Sequence, residues 1–137
     1  HADINTASTK GFTPLFAASQ TGRLAVVEAL VAAKADVNKA DGERCTPLYM
    51  ASQNGHLTVV EALVAAHADL NKVSDDGATP LLIASESGHI AVVEALVASP
   101  HADVDKAREA DGCTPLYSAS GNGHLDVVKA LAAAPHA

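Results

Sequence analysis

Residues 46–72 read TPLYMASQNGHLTVVEALVAAHADLNK, and nearly every part of this stretch returns elsewhere in the chain. Its opening Thr-Pro-Leu also begins at Thr13, Thr79 and Thr114, so that the four copies lie 33, 33 and 35 residues apart. Gly55 has counterparts in Gly22, Gly88 and Gly123, and the run Leu57 to Val64 is matched at 24–31, 90–97 and 125–132. The closing syllable, HADLN at 67–71, is HADIN at 1–5, KADVN at 34–38 and HADVD at 101–105, and Pro135-His136-Ala137 starts it again. Self-similarity at a period of this length fixes the fold before any single residue does.

Each unit has a physical reading. Thr46 suits a helix N-cap, and Pro47 suits the first helical position, where no N–H is required. Leu48 and Ala51 then share one face of a short helix. Gly55 ends it, because glycine enters the left-handed conformation without a side-chain penalty. Leu57, Val60, Leu63 and Val64 recur at helical spacing and define a second amphipathic helix. A polar, turn-rich stretch such as Asn38-Lys39-Ala40-Asp41-Gly42 leads to the next Thr-Pro-Leu. Neither helix can bury its apolar stripe within one unit, whereas stacked neighbours can. The pattern predicts an all-α solenoid of helix–turn–helix units in one domain over 1–137. Its parts are a partial unit at 1–12, repeats at 13–45, 46–78 and 79–113, and a shorter one at 114–137.

At this point the residues resemble a known family. TPLYMASQNGHLTVVEALVAAHADLNK is similar to an ankyrin repeat, and the resemblance covers essentially the whole chain in four copies in phase. It implies helix pairs stacked with projecting β-turn or hairpin fingers. It also implies protein–protein binding through a concave groove and the finger tips, with no catalysis and no cofactor. An architectural or assembly role, through the ends or the helical back, is the alternative.

The chain departs from the family in informative places. The position after Thr-Pro-Leu, usually His, holds Phe16, Tyr49, Leu82 and Tyr117. The position before Ala-Asp, usually Gly, holds Lys34, His67, His101 and His136. Arg44 stands where a finger glycine is expected. The connection from the third to the fourth copy is two residues longer, with Ser99-Pro100 and Arg108-Glu109-Ala110 taking up the excess.

Composition narrows the function. Of the 137 residues 48% are hydrophobic and 18% charged, which fits a folded domain. No apolar run approaches the ~18 residues of a membrane span. The net charge is −7 and the basic residues are scattered singly, so nucleic acid and anionic membranes are excluded as expected partners and a basic protein is favoured. The histidine columns, His67–His101–His136 and His56–His89–His124, are separated by roughly the 8–10 Å of stacked helices. Zinc requires ligands at about 2 Å from one ion, so no metal site is expected. A His before Ala-Asp either adopts the left-handed conformation, at about 1 kcal/mol relative to Gly, or sits at an altered helix end, as Pro100 and Pro135 suggest. Cys45 and Cys113 lie two repeats apart, roughly 20 Å by helix stacking, beyond the ~7 Å Cα limit of a disulfide. Free thiols fit a reducing compartment, and the expected location is the cytoplasm. The GNGH run at 121–124 follows a helix rather than a strand and lacks the full phosphate-loop set, so it reads as a turn. Glu28, Glu61 and Glu94 read as a solvated face.

Shared residues maintain a stack, so partner choice resides where copies differ. Before each Gly stand Gln20-Thr21, Gln53-Asn54, Glu86-Ser87 and Gly121-Asn122. Before Thr-Pro-Leu stand Phe12, Cys45, Ala78 and Cys113. The finger tips carry Thr9-Lys10, Gly42-Glu43, Asp75-Asp76 and Ala110-Asp111. The candidate binding residues are therefore Phe12, Phe16, Gln20, Thr21, Glu43, Cys45, Tyr49, Gln53, Asn54, Asp75, Asp76, Leu82, Glu86, Ser87, Asp111, Tyr117 and Asn122. The column Phe16–Tyr49–Leu82–Tyr117 has two readings, packing between repeats or an exposed groove of aromatic anchors. A groove predicts that Tyr49 and Tyr117 are both exposed. The final helix keeps the interior apolar pattern, so neither end is expected to be capped, and further repeats or a neighbouring subunit are expected to cover at least one.

Overall fold

The computed structural model describes residues 2–135, which form eight α-helices and no strand. The helices alternate between two roles. The short first helices are α1 (Pro14–Gln20), α3 (Pro47–Gln53), α5 (Pro80–Ser87) and α7 (Pro115–Gly121); the second helices are α2 (Leu24–Ala32), α4 (Leu57–Ala65), α6 (Ile90–Val97) and α8 (Leu125–Ala132). Each first helix starts where the sequence requires. The hydroxyls of Thr13, Thr46, Thr79 and Thr114 accept the N–H groups of Phe16, Tyr49, Leu82 and Tyr117, each at 3.1 Å. A proline follows every cap.

The helices pack in two rows. α1, α3, α5 and α7 lie side by side in one layer, α2, α4, α6 and α8 in the other, and each pair joins the layers. The main core runs unbroken between them, through Leu15, Val27, Leu48, Val59, Val60, Leu63, Leu81, Val92, Val93, Leu96 and Val127. A second apolar cluster, built on Phe16, Tyr49 and Leu82 with Cys45, Ala78 and Ile83, lies under the fingers. Among the described residues no helix is long and apolar enough to cross a membrane.

Both predicted endings of the second helix occur. His67 adopts the left-handed conformation (φ 64°), as does Lys34 (φ 71°). His101 does not, because Pro100 has already closed α6 differently. His136 lies outside the described residues. Arg44 takes the finger conformation (φ 62°) that Gly11, Gly77 and Gly112 take in the other fingers. The longer third connection divides its excess: one extra residue at Ser99-Pro100, and one in the last finger, where Arg108 N–H bonds the Cys113 carbonyl instead of the shorter Asp41–Cys45 and Ser74–Ala78 closures.

Candidate functional site

The refrain is a set of clamps between neighbouring repeats. In each syllable the first Asp accepts an N–H two residues on, and in the first three this turn presents an Asn to the next unit. Asn5, Asn38 and Asn71 Oδ1 accept the N–H groups of Asp36, Asp69 and Asp103 at 2.9, 2.8 and 2.8 Å. The second clamp belongs to the Gly-His pairs. His56, His89 and His124 Nε2 lie 3.0, 2.9 and 3.0 Å from the carbonyls of Gln20, Gln53 and Glu86, one repeat earlier. A carbonyl only accepts, so these rings carry the proton on Nε2. Gly55 shows why the glycine is required: its φ is +73°, and a Cβ there would come within 2.7 Å of the His89 ring. The histidines are therefore structural ties.

The same geometry sorts the candidate binding residues. Phe16, Tyr49 and Leu82 are buried, and so is Cys45. Tyr49, which the groove reading of the column required to be exposed, is not: the following repeat covers it, as it covers Phe16 and Leu82. The fourth member, Tyr117, is exposed, and no described repeat lies over it. The Phe16–Tyr49–Leu82 part of the column is inter-repeat packing; Phe16 and Leu82 present no surface, and Cys45 and Tyr49 show only a small edge at the floor of the finger pocket. Burial pushes the Tyr49 phenol up, the Ser74 hydroxyl offsetting part of the effect. Cys45 is pushed up to about 12, first by burial and then by Asp41, Glu43, Asp75 and Asp76. A thiol held protonated in this way is a poor nucleophile.

Other candidates are committed to the frame. Asn54 and Asn122 donate to the carbonyls of Gln20 and Glu86 at 2.9 and 3.0 Å. Thr21 folds its hydroxyl back onto the Ala17 carbonyl. Glu86 and Asp111 are joined by Arg108, which donates to Glu86 at 3.0 Å and grips Asp111 with two nitrogens, at 3.1 and 2.9 Å. The Arg108 hydrogen bonds hold the Asp111 carboxyl down to about 2.

What remains on the surface is the finger row. Glu43, Asp75 and Asp76 are exposed and surround a pocket of about 240 Å³ whose floor is Cys45, Tyr49 and Ser74. Asp76 accepts the Ser74 hydroxyl, and Arg44 reaches Asp75 loosely at 3.6 Å. Phe12 is half-buried and stacks on Phe16, ring centroids 4.5 Å apart. Gln20 and Gln53 are half-buried and Ser87 is exposed. Among the described residues no three His, Cys, Asp or Glu side chains are grouped to hold a metal ion.

A family model described as ankyrin repeats (3 copies) matches residues 1–74 and 66–137, the length of the chain. The chain belongs to the ankyrin-repeat family. Ankyrin repeats are generally protein–protein interaction modules. No curated protein matches this chain.

Within the ankyrin frame, sequence reasoning passed over two features. The Asn5–Asn38–Asn71 clamp repeats visibly, and its period was the available signal. The Arg108 triad had only the inserted finger as a signal, since it joins residues 22 apart. Helices α1, α3 and α5 also carry Ser19, Ser52 and Ser85 in register, fully buried, with hydroxyls that find no partner; the buried Ser118 on α7, two residues before that register, finds none either.

Proposed function

We propose that this ankyrin domain holds a protein partner against its finger tips and the adjoining exposed residues of the first helices, without chemistry of its own. The observation that carries the reading is the placement of Glu43, Asp75 and Asp76. They are exposed, they differ from copy to copy, and they gather round one pocket, whereas the residues that recur are consumed by the clamps. Gln20, Gln53 and Ser87 extend this surface along the ends of the first helices, and Tyr117 lies at its far end. The finger-tip charges, with a net charge of −7, select a partner presenting Lys or Arg, and they speed its approach.

Co-purification on the wild-type chain, read by mass spectrometry, supplies partners, and calorimetry on purified pairs supplies affinities. The combined variant Glu43→Lys, Asp75→Lys, Asp76→Lys is expected to lose about tenfold or more in affinity, and added salt to weaken the wild-type complex. A partner held equally by the folded charge-reversed variant overturns this reading.

A further inference from the structure

Finger and first helix meet differently at successive repeats. Where the fourth finger meets α5, a guanidinium closes the gap. Arg108 bridges Glu86 and Asp111, grips Asp111 with two nitrogens, and leaves only 14% of its side chain exposed. One repeat earlier the matching residues are Ser74, Gln53 and Asp76, as the finger closures Ser74–Ala78 and Arg108–Cys113 align them. Ser74 is too short to reach across, and the pocket of about 240 Å³ opens beside it. Asp76 offers a carboxylate there as Asp111 does, but what it receives is the Ser74 hydroxyl. Glu43 and Asp75 line the same pocket, and the cation that meets them, Arg44, reaches only Asp75, at 3.6 Å and from an exposed position. The floor points the same way. Tyr49 is only 6% exposed, yet it lines the pocket. Its polar neighbour is Ser74, whose single proton goes to Asp76, so no described residue donates to the phenol oxygen. A buried acceptor left without a donor is costly, and a ligand carrying several N–H groups removes that cost.

We propose that this pocket receives an arginine side chain of the protein partner, its guanidinium donating to the Asp76 carboxylate, as Arg108 donates to Asp111, and to the Tyr49 oxygen. The chain thus carries, one repeat further on, its own copy of the contact it makes with a partner. The chemistry selects arginine over lysine. A guanidinium is a planar fork of five donors, which pairs with a carboxylate through two of them and has others left for the phenol; an ammonium is a point charge with three. Glu43 and Asp75 at the rim draw either cation in, so they set the rate of approach rather than the choice. The inference rests on the finger-tip reading and narrows it to one anchoring residue.

Fluorescence anisotropy with two labelled peptides, hexa-arginine and hexa-lysine, tests this at low salt. The wild-type chain is expected to bind hexa-arginine about fivefold or more tighter than hexa-lysine, because equal charge leaves only the fork to tell them apart. Ser74→Arg places in the third finger the residue that the fourth already carries. It fills the pocket from within and is expected to remove the preference. Asp76→Asn alters an exposed side chain, keeps an oxygen for Ser74 and takes away the two-oxygen acceptor, with the same expected result; circular dichroism confirms that both variants keep their helices. Equal binding of the two peptides by the wild-type chain overturns the arginine pocket and leaves the finger-tip reading standing, whereas binding of neither overturns both. A folded Ser74→Arg or Asp76→Asn variant that keeps the full preference also overturns the pocket.

Discussion

At the scale of the residue, one histidine position behaves in two ways. His67 is left-handed (φ 64°), while His101 is not, because of Pro100 before it. The sequence showed both possible endings and the proline that divides them; it did not show which backbone the other copies adopt, because His and Lys tolerate both. The substitution His67→Gly is expected to raise stability by up to about 1 kcal/mol, since it relieves left-handed strain. His101→Gly is expected to lower it by about 0.5–1 kcal/mol, since it adds only freedom to the unfolded chain. Urea unfolding of the two variants checks the opposite signs, and equal signs contradict the assignment. The thiols differ as well. Cys45 is buried and pushed up to about 12, and Cys113 is only half-buried. Iodoacetamide is expected to label Cys113 first at neutral pH, with Cys45 following only as the chain opens; peptide mass spectrometry reads the order, and equal rates contradict it.

At the scale of the element, the helix pairs were legible because capping and periodicity are local. Thr-Pro starts each first helix and Gly or an Asn-Gly turn closes it, and no distant residue is needed to see this. The Arg108 triad was not legible, because it ties a finger to the end of α5. It has a consequence for acid stability. A carboxyl held at about 2 when folded, against an ordinary 3.8, adds stability that is complete above about pH 4 and is lost as pH falls through about 2. Asp111→Asn is expected to flatten that part of the acid limb in thermal melts, and an unchanged limb contradicts the pairing. The buried serines make the opposite kind of point. Ser52 pays for a buried hydroxyl with no partner, so Ser52→Ala is expected to stabilise α3 by about 1 kcal/mol in urea unfolding. A loss of stability on that substitution shows that the hydroxyl is bonded after all.

At the scale of the whole molecule, the sequence foretold a stack of repeats but not which members of a column it would cover. Phe16, Tyr49, Leu82 and Tyr117 are alike in type and phase, and three are buried only because another repeat follows. Burial of that kind depends on the neighbour, not on the residue, so no pattern within one copy reveals it. The finger acids are the converse: Glu43, Asp75 and Asp76 break the pattern and stay at the surface. The chain therefore divides into recurring residues that hold the repeats together and divergent ones that stay at the surface. Urea unfolding of two variants side by side tests that division most directly. His89→Ala removes a clamp to the Gln53 carbonyl and is expected to cost about 1–2 kcal/mol. The combined Glu43→Lys, Asp75→Lys, Asp76→Lys variant is expected to unfold within about 0.5 kcal/mol of the wild-type chain. A stable His89→Ala beside a collapsed finger variant is the result that contradicts it.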